Sequence, residues 1–406
     1  MERLGLPAAP PPPPERREAT KGAAQAGRLG AFFRQRYPLG GLADLLAHKT
    51  VPVHRHTVWY YWGGVTLALI GIQLASGVLL LLYYRPSADG AFESIRFIMT
   101  RVEFGWLVRS VHAWAANLVI LSAMIHLAST FFLKAYRPPR ELTWVSGVLL
   151  FFLLMGFGFT GYLLPWNTLA FFATKVGTEI AGTVPGIGPI LRTFLCGGSD
   201  VGDATLSRFF WLHIAVLPAG LLVLAGLHVL MIQLQGMSRP LSSMGERSTP
   251  PPAASAGGGS AHSAGPFGPA AGGGAMPFFP NFFLRDLLAW SLMLGLVLCL
   301  SVYWPATLGE KADPFAPTPA GIQPEWYFLW MFQTLKLFPG HVLGIEGELV
   351  AIGLTGLAGV VLLVVPWLDR PARHGRSSWL VRLLGIAGLA YVAGMTGVAL
   401  WLGAHH

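Results

Sequence analysis

His112-Ala-Trp-Ala-Ala-Asn-Leu-Val-Ile-Leu-Ser-Ala-Met-Ile-His126 and His213-Ile-Ala-Val-Leu-Pro-Ala-Gly-Leu-Leu-Val-Leu-Ala-Gly-Leu-His228 are the stretches that decide the fold. Each opens and closes on a histidine within an apolar run. At 100° and about 1.5 Å per residue, the 14-residue step of the first falls about 40° short of four turns and climbs ~21 Å. The 15-residue step of the second overshoots by about 60°. Each pair therefore stays on one helix face, at two depths in a membrane.

The composition agrees. Of 406 residues, 53% are hydrophobic and 12% charged, where a soluble chain carries about 25% charged residues. Seven stretches reach the roughly 20 apolar residues that cross a bilayer: about 58–84, 110–133, 142–164, 209–234, 286–305, 348–368 and 379–403. The expected fold is an all-α integral membrane protein, a four-helix bundle followed by a three-helix part. The formal charge of +9 is scattered at the ends of apolar runs, which argues against nucleic-acid binding. The two cysteines, Cys196 and Cys299, form no CxxC or CxxCH motif, so thiolate metal sites and c-type haem attachment lack ligands.

Residues 1–30 hold a proline run and no signal-peptide core, and read as a disordered tail. Residues 31–245 form the four-helix part, 246–276 a Gly/Pro/Ser linker, and 277–406 the three-helix part. Basic residues collect before span one, between spans two and three (Lys134, Arg137, Arg140) and between spans six and seven (Arg370, Arg373, Arg376). By the positive-inside rule that side, with the N-terminus, is cytoplasmic. The long loops at about 165–208 and 306–347 then face outward together and could roof a pocket.

With seven spans, spans two and four run in the same direction. His112 and His213 share the outer depth, His126 and His228 the inner one. Polar groups in membranes are costly and mark function. Two facing imidazole pairs without Cys, Asp or Glu point to bis-histidine ligation of two b-type haems rather than zinc. Gly63 and Gly77 in span one, and Gly147 and Gly161 in span three, are again 14 apart. They leave room for a flat macrocycle between helices. Arg109 and Arg208 lie at the outer helix ends, where guanidinium can snorkel to the interface or pair with haem propionates. Glu325, in Pro324-Glu-Trp-Tyr327, is a carboxylate in an aromatic setting: either a loop residue facing water or, close to the outer metal level, a group able to exchange protons with a quinol.

These residues resemble the cytochrome b/b6 family, from about Phe33 to Gly403. The matching motifs are Arg109-Ser-Val-His112, Pro139-Arg-Glu-Leu-Thr-Trp144, Gly161-Tyr-Leu-Leu-Pro-Trp166, Ser207-Arg-Phe-Phe-Trp-Leu-His213, Ala312-Asp-Pro-Phe315 and Pro324-Glu-Trp-Tyr327. The 15-residue step and seven spans resemble the branch with cytochrome b6 plus subunit IV, here fused in one chain. The resemblance implies a Q-cycle quinol:cytochrome c oxidoreductase of the bacterial inner membrane, homodimeric and coupled to proton translocation. Its partners would be a Rieske iron–sulfur protein and a c-type cytochrome. Glu325 would accept the quinol proton, with Tyr162 and Tyr327 lining the outer pocket. Tyr61 stands where the b6 branch has a cysteine, so a covalent c-type haem is not expected. Ser129 and Gln233 replace arginines near the inner haem, leaving His54, Asp44, Lys49 and Arg239 as inner-site candidates. Asn167 replaces an acidic residue of the plant-type sequences. The competing reading is a di-haem membrane anchor that relays electrons between quinone and a peripheral dehydrogenase.

Overall fold

The computed structural model describes residues 49–53, 56–239, 275–319, 321–376, 378–403 and 405. The tail, linker residues 246–274, His54 and Asp44 lie outside them. Among the described residues seven helices are long and apolar enough to cross a membrane: Thr57–Leu81, Gly105–Phe132, Glu141–Leu163, Asp203–Gln235, Phe278–Tyr303, Gly347–Arg373 and Trp379–Gly403. They are spans one to seven. Surface helices join them: α1 (Ala91–Arg101), α2 (Thr168–Gly182), α3 (Gly188–Cys196) and α4 (Trp326–Leu337). The long loops after spans three and five are thus partly helical, and the first of them buries Phe171, Phe172 and Cys196 against Trp166 and Phe209.

Span one packs along span two and span four along span three, with spans two and three in contact. That is the four-helix bundle. Span five lies against spans one and two, span six against span three, and span seven against α4.

Span four departs from regular helix where the sequence is odd. A π turn over Leu212–Val216 contains His213 and leads into Leu217–Gln235. A π turn closes i→i+5 hydrogen bonds and takes up one residue more than an α turn. The 60° overshoot expected of a regular helix is therefore absorbed, and 15 residues here cover the rotation of 14 in span two. Pro218, just past the turn, has no N–H to close a regular hydrogen bond there.

The two parts are joined at both ends of the bundle. At the near end, where span one begins, strand β1 (Thr50–Pro52) pairs antiparallel with β2 (Ala275–Pro277). Strand β2 takes in Ala275 and Met276, the last two residues of the stretch expected to be linker. Nearby, Lys134 Nζ meets Asp369 Oδ2 at 2.9 Å, with side chains 3% and 0% exposed. Tyr136 and Ser378 donate to the same oxygen at 2.6 and 2.8 Å. Burial lowers the Lys134 pKa, and the Asp369 carboxylate opposes that shift. At the far end Thr168 N donates to Glu310 O at 2.9 Å and Ala312 N to Trp166 O at 3.1 Å. Asn167 caps α2 through Ala170 N and donates to Leu308 O, both at 2.8 Å.

Candidate functional site: two histidine levels and a far-end cavity

The histidines meet as their spacing requires. The rings of His112 and His213 face each other with centroids 6.4 Å apart. His126 lies within electrostatic reach of His228. Among the described residues no group of three or more His, Cys, Asp or Glu could hold a metal ion, so the donor sets are imidazole pairs.

Each glycine faces one imidazole. A Cβ on Gly161 would fall 2.6 Å from His213 Cε1, and one on Gly63 3.1 Å from His126 Cε1. A Cβ on Gly147 would lie 3.1 Å from His228 Cε1, and one on Gly77 3.4 Å from His112 Cε1. The glycines thus make room first for the imidazoles, which lie against bare backbone inside the bundle.

Three histidines are held by a hydroxyl from the residue before the facing glycine. Ser76 Oγ is 2.9 Å from His112 Nδ1, Thr160 Oγ1 3.1 Å from His213 Nδ1, and Ser146 Oγ 2.8 Å from His228 Nδ1. Each hydroxyl spends its own proton on a helix carbonyl, of Ile72, Gly156 and Thr143 respectively. The oxygen is left to accept from Nδ1–H, so Nε2 keeps its lone pair for a metal. Sequence reasoning missed these three hydroxyls. The signal was present as Ser76-Gly77, Ser146-Gly147 and Thr160-Gly161. The fourth glycine follows Trp62, and His126 Nδ1 is buried without a partner among the described residues.

These residues fit a bis-histidine haem. Two metal–imidazole bonds of about 2 Å each, one from either side, place ring centroids about 6 Å apart, as found for His112 and His213.

Arg109 and Arg208 are placed on backbone carbonyls. Arg109 donates to Ala306 O and, at 2.9 Å, to Thr307 O. Arg208 donates to Thr193 O at 2.8 Å and to Phe194 O. Arg109 thereby ties span two to the segment after span five, and Arg208 ties span four to α3. At the near end Lys49 Nζ donates to Gln233 Oε1, and the Arg239 carbonyl accepts from Arg137. Tyr61 stacks on Phe282 at 4.9 Å and 17°.

A cavity of about 330 Å³ opens beside span three at the far end. Its walls are span three (Met155, Gly158, Phe159, Tyr162), α2 (Ala173, Thr174, Gly177) and the start of α4 (Pro324, Glu325, Phe328). At 100° per residue, positions 155, 158, 159 and 162 fall on the face of span three opposite to 157, 160 and 161. The second face holds His213 through Thr160 and Gly161 and packs Phe157 on its ring at 5.4 Å. One helix therefore separates the cavity from the far-end imidazoles.

Glu325 immediately precedes α4, and its carbonyl accepts from Phe328 N at 2.8 Å. Burial raises its carboxyl pKa. The next residue is anchored to span two, where Trp326 Nε1 donates to Asn117 Oδ1 at 2.7 Å. Tyr162 lines the cavity as expected. Tyr327 does not. It is 7% exposed and turns into the bundle core with Val119, Leu154 and Val297, where a Cβ on Gly158 would lie 2.7 Å from its hydroxyl. Successive side chains step about 100° around a helix, so Tyr327 turns away from the wall that Glu325 and Phe328 share.

A second carboxylate escaped the sequence reading. Asp286, in the near-end part of span five, packs on Gly64, whose Cβ would collide with it. Its Oδ1 is buried with no partner among the described residues. Its signal was an acid set inside an apolar span.

The chain is similar to known proteins. The family model described as Cytochrome b/b6/petB matches residues 46–236, and that described as Cytochrome b(C-terminal)/b6/petD matches residues 311–404. A cytochrome bc complex cytochrome b subunit of Chlorobaculum thiosulfatiphilum is 44% identical over 362 residues, covering 89% of this chain and 78% of that protein. A menaquinol:cytochrome c reductase cytochrome b subunit of Geobacillus thermodenitrificans is 48% identical over 192 residues, covering 47% of this chain and 86% of that protein. A solved chain of a hyperthermophilic respiratory Complex III superposes with a TM-score of 0.73 at 26% identity, covering 92% of this chain and 95% of that one. The chain belongs to the cytochrome b/b6 family and carries both the N-terminal and the C-terminal part of that family in one polypeptide.

Proposed function

We propose that this chain is the cytochrome b subunit of a bc-type quinol:cytochrome c oxidoreductase of the bacterial inner membrane. It works as a homodimer with a Rieske iron–sulfur protein and a c-type cytochrome. The near end, with the N-terminus, faces the cytoplasm, and quinol is oxidised at the far end. The relatives' printed functions support this, and the Geobacillus protein favours menaquinol as substrate. The observation that carries the reading is a half-buried carboxylate in an apolar cavity one helix away from a facing imidazole pair.

Two b haems, when bound, supply single-electron carriers at two depths in the membrane. His112 and His213 would hold the far one, His126 and His228 the near one. Arg109 and Arg208 each have donors beyond those given to the loop carbonyls and would serve the far propionates. In the cavity, apolar walls exclude water while Glu325 accepts a proton from the quinol hydroxyl and Tyr162 lines its approach. Burial favours the neutral carboxyl, so Glu325 holds the proton until it can pass it to the aqueous side. At the near end Asp286, with its unpartnered Oδ1, would deliver a proton to a quinone being reduced.

The test is Glu325→Gln in the purified complex. A general base contributes about 10²–10⁴-fold, so quinol oxidation should fall by at least about 10²-fold with the haem absorbance bands unchanged. In the wild type the acid limb of the rate profile should lie above the ordinary glutamate range. Activity falls as pH drops through that limb, because the raised pKa keeps the base protonated. Unchanged turnover in Glu325→Gln would favour the membrane-anchor reading.

A further inference from the structure

Thr174 is a hydroxyl without a job in the fold. It sits mid-way along α2, is 1% exposed, and its Oγ1 is buried without a hydrogen-bond partner among the described residues. Several helical threonines among the described residues pair their hydroxyls. The hydroxyls of Thr66, Thr130, Thr160, Thr178, Thr334 and Thr355 each donate to a carbonyl three or four residues back. Such back-bonding is the ordinary fate of a mid-helix hydroxyl, and a buried one left unpaired costs about 1–3 kcal/mol. Thr174 also lines the far-end cavity, on a different wall from Glu325.

The cavity has few polar groups. Glu325, Tyr162 and Thr174 are the lining side chains that can hydrogen-bond, among Phe, Met, Leu, Ile, Val, Ala, Gly and Pro. A small-molecule site of this kind orients its ligand through a few placed polar groups in an apolar surround. A 1,4-quinol carries two hydroxyls at opposite ends of one ring. If Glu325 takes the proton of one, the other end needs a partner on another wall.

We propose that the Thr174 hydroxyl binds one oxygen of the quinol ring in the far-end cavity, fixing the ring so that its other hydroxyl meets Glu325. The inference rests on the reading of this cavity as the quinol-oxidation site. Thr174 transfers no proton or electron; it sets where the ring lies.

The test uses the purified complex, the soluble naphthoquinol menadiol as substrate and its oxidised form, menadione, as the bound probe. Thr174→Val keeps the shape and removes the hydroxyl; Thr174→Ser keeps the hydroxyl. Thr174→Val should raise KM for menadiol about tenfold, equivalent to about 1.4 kcal/mol, with a much smaller change in kcat. Thr174→Ser should restore KM towards wild type. In infrared difference spectra of bound ¹³C-carbonyl menadione, one carbonyl band should move to higher frequency in Thr174→Val and return in Thr174→Ser. Wild-type KM and carbonyl frequencies in Thr174→Val, or identical behaviour of Val and Ser, would overturn the proposal while leaving the site reading intact. Failure of wild-type protein to bind menadione or oxidise menadiol at this cavity would overturn the site reading, and this proposal with it.

Discussion

Gly161 and Gly77 do one job with different clearance. A Cβ at Gly161 meets His213 at 2.6 Å, while one at Gly77 reaches His112 at an ordinary 3.4 Å. Overpacking a fitted interior costs about 1–3 kcal/mol. Gly161→Ala should therefore displace the His213 ring, lowering far-level haem content or shifting its potential, whereas Gly77→Ala should stay near wild type. Haem per polypeptide and redox titration of both variants check this; equal behaviour would contradict it. The imidazoles and glycines were legible because a 14-residue repeat in apolar surroundings has little other cause. The hydroxyl partners were equally visible, as Ser or Thr directly before three of the four glycines. Their role was not, because a Ser or Thr in a membrane helix usually bonds its own backbone, and only the facing helix shows that these also serve an imidazole. Tyr327 illustrates the opposite limit. Its motif was readable, but its direction is set by Gly158 on a distant element.

Among the elements, span four is the informative one. In a regular helix its 15-residue step would differ by about 100° of rotation from the 14-residue step of span two. The π turn at Leu212–Val216 removes the discrepancy by looping out one residue. Deleting Ile214 should convert that turn to regular helix with a 14-residue step and keep both histidines in register. Two b-type redox steps should survive in the deletion variant, read by potential-controlled absorbance. Loss of the far step alone would mean the π turn itself is required. A single extra residue announces that something must bulge; where it bulges depends on local hydrogen bonding around Pro218. The outer loops carried a similar ambiguity. Their length and apolar content were legible as functional. That they fold into α2, α3 and α4, and meet edge to edge at Asn167 and Lys311, follows from pairing between segments far apart in sequence.

At the scale of the whole molecule, one polypeptide carries two parts that grip each other at both ends. The near-end grip is the β1–β2 pair and the buried Lys134–Asp369 contact with Tyr136 and Ser378. Removing one partner of such a buried pair costs about 3–5 kcal/mol. The far-end grip holds Glu325 against the face of span three opposite His213. The carboxylate comes from the C-terminal part and the imidazole from the N-terminal part, so the proposed quinol site draws on both. The central claim is two haem levels with separate histidine pairs. It is tested most directly by potentiometric titration of the b-band absorbance in wild type and in His213→Ala. Two one-electron steps are expected in wild type, with one step lost and the other kept in His213→Ala. A single step in wild type, or two unaltered steps in His213→Ala, would contradict the account.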